Sequence, residues 1–329
     1  MKAIKILTMA ALATAVFASC SNDEDLAQSN YPMDNVVRIM TSVDGMNTRA
    51  SYGNSTDKLD SFGFCINNAG SDKYTYDNIK VTKEGNNWNP ATQMLWQNST
   101  TAVDILAYAP YQETTEDANG KVKVFGKTDY AFSVKEDQSG AEDYSSDLIV
   151  YKQTGFKPES DLNTNQAVNV AFTHLLSQLN LTIELRDQFN QDEKKPVTSA
   201  TVTDVKVDGT FIRSKVNFAA DPISVQFDGM ATKAITPETV AFTKADKTTD
   251  HATFKYSAIV IPQWIRAGVF CISFKVDGND YIWTSTSDVN FVSGKKHDLL
   301  LLVGKDVVQG GAISAKPWGE ETITEKETD

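Results

Sequence analysis

The chain has 329 residues, enough for two ordinary domains, and 41% of them are hydrophobic, enough to build real cores. Its formal charge of −12 argues against a nucleic-acid partner, whose phosphates need a basic surface. Short alternating apolar runs divided by turn residues, with no sustained helical period, give an all-β fold class.

In chain order, Lys2 and Lys5 precede an apolar or small stretch from Ile6 to Ser19. It is shorter than the ~20 residues of a membrane-spanning helix and reads as a secretion signal over residues 1–19. It ends Phe17-Ala18-Ser19-Cys20, small residues before a cysteine, which resembles a bacterial lipobox with Phe17 in the place where Leu is commonest. On that reading Cys20 is the lipid-modified first residue of the mature chain and outer-membrane lipid is its partner. The acidic run Ser21 to Asp25 reads as a surface-export tag or as a solvated linker, within a polar tether over residues 20–35.

Residues 36–43 form the first expected strand. Val37, Ile39, Thr41 and Val43 fall on one face, and Arg38, Met40 and Ser42 on the other. Asp44-Gly45 is a turn signal, and Arg49-Ala50 follows in a small polar loop that an Arg-specific protease can reach. A cut there removes the strand and opens an unpaired sheet edge. An ordinary first strand with an uncut loop has the same residue pattern.

Further strands are expected over Leu59–Asn67, Tyr74–Thr82, Ala102–Tyr108, Tyr130–Val134 and Asp147–Tyr151, with Pro110 as a stop after the third. The loop-like stretch Gly155 to Gln166 divides the chain into domains 36–160 and 161–329. The second half opens with one long strand inside Ala167–Leu185, with a helical turn over Thr173 to Gln178 as the alternative. Strands follow over Ala200–Val207, Ser214–Phe218, Phe254–Ile261, Val269–Val276 and Asp280–Thr284, with a hairpin turn at Asp277–Asp280. The apolar run within Asp298–Val303 is expected to be a central strand covered on both faces. A tail from about residue 304 carries Gly310-Gly311, which frees it to leave its own domain, and Ile313 and Trp318, which suit it to anchoring in a groove.

Little in the chain carries chemistry. Cys65 and Cys271 lie far apart and read as lone thiols. His174, in an apolar strand, reads as a structural hydrogen-bonding side chain, while His251 and His297 sit in polar surroundings. There is no HExxH, CxxC, GxSxG or Gly-rich phosphate loop, so no metal, cofactor or catalytic residue is expected. The acidic clusters Asp137–Asp143 and Asp277–Asp280 lack the calcium-loop spacing and read as solvated turns. Of the five tryptophans, Trp88 in an Asn-rich loop is the one expected at the surface.

Several fragments together resemble the fimbrillin family. They are Trp96 followed by the block Val103 to Pro110, Asp147-Leu148-Ile149-Val150, and the Phe172-Thr173-His174 block running on to Ile183. Ile261-Pro262-Gln263, the late Trp318, and Asn47-Thr48-Arg49-Ala50 behind the first strand complete the ordered set. The resemblance implies two β-sandwich (transthyretin-like) domains in tandem, a lipoprotein precursor, and a structural or adhesive subunit of surface fimbriae. It implies that an Arg-specific protease removes the first strand after Arg49 and that a strand from another fimbrial subunit takes its place, with the tail around Ile313 and Trp318 as donor. The competing expectation is an uncut, monomeric surface lipoprotein that binds glycan or protein.

Overall fold

A computed structural model of the protein describes residues 30–43, 56–113, 123–140, 143–190, 195–229, 232–245 and 251–318. Cys20, Arg49 and Ala50 lie outside the described residues, as do the secretion signal and the acidic run. No helix among the described residues is long and apolar enough to cross a membrane.

The fold is nearly all β. The first strands are β1 (Arg38–Val43), β2 (Ser61–Asn67), β3 (Tyr76–Glu84), β4 (Asn87–Pro90), β5 (Val103–Ala109), β6 (Tyr130–Ser133), β7 (Ile149–Phe156) and β8 (Ala167–His174). Then come β9 (Ser177–Leu185), β10 (Val202–Asp208), β11 (Arg213–Asn217), β12 (Ser224–Phe227), β13 (Glu238–Thr243), β14 (Ala252–Val260) and β15 (Gln263–Ile265). The last are β16 (Cys271–Val276), β17 (Asn279–Thr284), β18 (Val289–Phe291), β19 (Lys295–Val303), β20 (Val308–Gly310) and β21 (Ser314–Pro317).

A seven-stranded sheet has the order β1-β8-β7-β5-β2-β3-β4. A second large sheet has the order β13-β14-β9-β19-β20, and β21 also pairs with β19. Smaller sheets join β10-β16-β17, β12-β11-β6 and β15-β18. The seven-stranded sheet is apolar on both faces. Phe62, Phe64 and Ile66 of β2 and Ile105 and Ala107 of β5 enclose one core together with Val37, Ile39, Val168, Val170 and Phe172. Cys65, Leu106, Tyr108 and Val150 face the other way, into a larger core shared with β9, β14, β16 and β19. Alternation along each strand therefore supplies two cores at once.

Three differences from the sequence reading bear on the site. The expected long strand breaks into β8 and β9, joined by Leu175 and Leu176, and the two halves enter different sheets. Apolar residues alternate through both halves, so the period alone does not register the break. The sheets consequently cross the expected divide at residue 160: β8 belongs with β1, and β6 pairs with β11. Third, β19 is central, but within Asp298–Val303 only Leu299, Leu301 and Val303 are buried; Leu300 is 38% exposed. Its neighbours on that outer face, Asn180, Thr182 and Glu184 of β9, are polar. The expected hairpin forms between β16 and β17, with Asp277 and Gly278 both at positive φ.

Two consequences follow for stability. A Cβ on Gly63 would lie 2.3 Å from Tyr108 Cε1 and 2.7 Å from Asn78 Oδ1. Tyr108 is fully buried and its hydroxyl donates to Asn78 Oδ1 at 2.6 Å, so neither neighbour can retreat cheaply. Gly63→Ala is expected to cost on the order of 1–3 kcal/mol in urea unfolding through overpacking. His297, 1% exposed, accepts a hydrogen bond from the Val292 amide at Nε2, and burial holds its imidazole below the usual histidine range. The unfolded chain therefore takes up the proton first, and the stability from neutral His297 is complete above a pH of about 6.5 and lost as pH falls toward the folded value. The urea midpoint should fall over that window, and His297→Gln should flatten the slope.

Candidate functional site

The edge of the seven-stranded sheet is the part of the fold with a distinctive construction. Val37 and Ile39 of the first strand are buried, as the alternation predicts, while Met40 on the opposite face is 43% exposed. β1 pairs with β8 in parallel, in the register Arg38↔Ala167 through Val43↔Phe172. Ile39 and Thr41 thus lie beside Val168 and Val170 over the core. Thr41 Oγ1 is buried and has no hydrogen-bond partner among the described residues, which weakens this strand by the cost of an unsatisfied hydroxyl.

β8 depends on β1 to an unusual degree. Among the described residues its ladder to β7 consists of Thr173↔Val150 and His174↔Ile149 alone. The whole stretch Ala167–Phe172 has β1 as its ladder partner. Just before β1, the chain is held on its other side: the Val37 amide donates to Met94 O at 3.0 Å and the Trp96 amide to Asn35 O at 2.8 Å. Between β1 and β4 a groove of about 640 Å³ opens, lined by Arg38, Met40, Trp88, Pro90 and Met94.

The tail is docked. β20 and β21 pair antiparallel with β19, Val308 opposite Val303 and Ala315 opposite His297. Gly310 sits against the Trp283 indole, where a Cβ would come within 2.2 Å of Nε1. Its lack of a side chain therefore serves a close approach in this state. Ile313 is half-buried against the larger core. Trp318 is 5% exposed and stacks on the His174 ring, with centroids 3.9 Å apart and planes 7° from parallel. His174 Nδ1 lies 2.9 Å from Asp147 Oδ1, and both side chains are buried, in agreement with the structural role read from the sequence.

Other expected features fall elsewhere. Trp88 is half-buried, edge-on to Phe62 at 5.0 Å. The exposed tryptophan is Trp264, at 52%, with the Arg266 guanidinium 6.0 Å from its ring. The sequence marks neither Trp88 as covered nor Trp264 as open, because both lie in short strands with mixed neighbours. Cys65 and Cys271 are free thiols. Among the described residues no group of three or more His, Cys, Asp or Glu is placed to hold a metal ion.

Truncation of the inward row tests how firmly β1 is held. Ile39→Ala should cost about 2 kcal/mol, the low end for a buried Ile because an edge position can partly collapse. Amide exchange over Arg38–Val43 should accelerate, while Ser61–Asn67 in the middle of the sheet keeps its protection.

Among curated proteins, none matches the sequence. Solved structures share the fold. A candidate cell adhesion protein from Bacteroides uniformis is 20% identical with a TM-score of 0.55, over 87% of this chain and 99% of that one. A candidate cell adhesion protein from Bacteroides ovatus has a TM-score of 0.62 at 13% identity, over 87% and 98% of the two chains. A fimbrial protein from Bacteroides vulgatus has a TM-score of 0.50 at 15% identity, over 86% and 99%. The fimbrillin-like family model matches residues 48–318, and the chain therefore belongs to the fimbrillin-like family.

Proposed function

We propose that this chain is a non-enzymatic subunit of surface fimbriae, or a fimbrial adhesin, that is exported as an outer-membrane lipoprotein through Cys20 and cut after Arg49. An Arg-specific protease makes the cut, and other fimbrial subunits are the partners. The single observation that carries the reading is the construction of the β8 edge, where Ala167–Phe172 has its ladder with β1.

Loss of β1 leaves a row of unpaired main-chain groups on β8 beside Val168, Val170 and Phe172. A strand from another subunit restores the ladder by β-addition. Each apolar side chain it buries contributes roughly 1.5–3 kcal/mol and each backbone hydrogen bond about 0.5–1.5 kcal/mol, before ordering costs. A donor on one face and an acceptor on another give a heterologous contact that extends head to tail. The segment around Ile313 and Trp318 is the proposed donor; its antiparallel docking on β19 means that it must first leave its own sheet.

A second reading keeps β1 in place, as an uncut monomeric surface lipoprotein that binds glycan or protein. The hydrogen bonds of Asn35 and Val37 to Trp96 and Met94 favour it, since they tie the start of the first strand to a second element.

The two readings separate on the N-terminus of the protein released from intact cells. Mass spectrometry should find a chain beginning at Ala50, in heat-stable ladders on a gel. Arg49→Ala should leave the longer chain and abolish the ladders. Unchanged ladders in that variant, or a monomer still acylated at Cys20, would support the uncut reading.

A further inference from the structure

The two surfaces invoked above meet on one strand. β8 carries β1 along Ala167–Phe172, and its last residue, His174, carries Trp318 of the tail. After Leu175 and Leu176 the chain enters β9, which runs parallel to β19, the strand on which the tail lies. The joint is stitched to the turn that leads into β19. The Ser177 hydroxyl donates to Val292 O at 2.7 Å, the Gly294 amide to Leu176 O at 2.8 Å, and the Ser293 hydroxyl to Leu175 O at 2.5 Å. β1 and Trp318 lie in different cores, so neither packs in the other's cluster. β8 and this joint form a continuous path of chain between them.

We propose that β1 and the docked tail are thermodynamically coupled through β8, so that loss of β1 loosens Val308–Trp318 from its own sheet. The inference rests on the reading that β1 is removed, and it gives that removal a second consequence. With β1 gone, Ala167–Phe172 keeps no ladder, and among the described residues the main-chain pairing of β8 to its sheet is left at Thr173 and His174, with Val168, Val170 and Phe172 held by packing. A strand whose ladder is kept at one end only samples more conformations, and His174, whose ring carries Trp318, is the last residue of that strand. Opening of the acceptor edge and release of the donor then become one event in place of two. In the intact precursor both are held shut.

The test is hydrogen exchange on the full chain and on a chain made to begin at Ser51, so that native processing plays no part. In the shorter chain, amides of Val308–Lys316 should exchange about tenfold faster, within the usual range of coupling energies. Ser61–Asn67 should be unchanged, and a synthetic Val36–Val43 peptide added in excess should restore the tail's protection. Coupling is reciprocal, so Trp318→Ala in the full chain should accelerate exchange over Arg38–Val43 by a similar factor, a result that does not require the shorter chain to fold. Tail exchange that ignores β1, acceleration spread equally over Ser61–Asn67, or Trp318→Ala without effect on Arg38–Val43 would each overturn the coupling. Absence of cleavage at Arg49 in cells would bear on the processing reading and leave this result as it stands.

Discussion

The parallel ladder between β1 and β8 is the contact on which the account depends. Most strands in a sheet are held from both sides, so the loss of one neighbour leaves the other. β8 is held along most of its length by β1, the first strand of the described chain, and by β7 only at its end. The core beneath does not dissolve with that ladder, because Val168, Val170 and Phe172 also pack with residues of the inner strands. The edge is thus firm in packing and thin in hydrogen bonding. That combination suits a position where one strand is to be replaced by another of similar pattern.

The second large sheet manages its edge differently. β19 would present an open side next to a strongly apolar sequence, a hazard for uncontrolled pairing. The chain covers it with its own tail, pinned by the Gly310–Trp283 contact and by Trp318 on His174. A covering made of two short strands, three and four residues long, is easier to lift than one long strand. β1 thus covers β8 and the tail covers β19, and the joint between β8 and β9 lies between the two.

Much of this was legible in the residues. Alternation placed β1, β2, β5, β16 and β17 to within a few residues, and it put Val37 and Ile39 on the covered face. The ordered blocks around Trp96, Tyr108 and His174 pointed to the family that the comparison then gave. What stayed hidden was relational. In the run from Ala167 to Leu185 a turn over Thr173 to Gln178 is only an alternative to one long strand, because each half satisfies the strand period by itself; that β8 and β9 enter different sheets is not legible there. The docking of the tail was also hidden: Gly310-Gly311 reads as freedom in a sequence, while Gly310 serves a close approach to Trp283 in the fold. The partial exposure of Leu300 belongs with these, since the polarity of its neighbours is decided by the pairing with β9.

The most direct measurement is the structure of the assembled, surface-released form, read at one place: the strand beside Ala167–Phe172. The account predicts residues of a neighbouring subunit there, with Arg38–Val43 absent. Finding Arg38–Val43 of the same chain still paired with β8 in that form would contradict it.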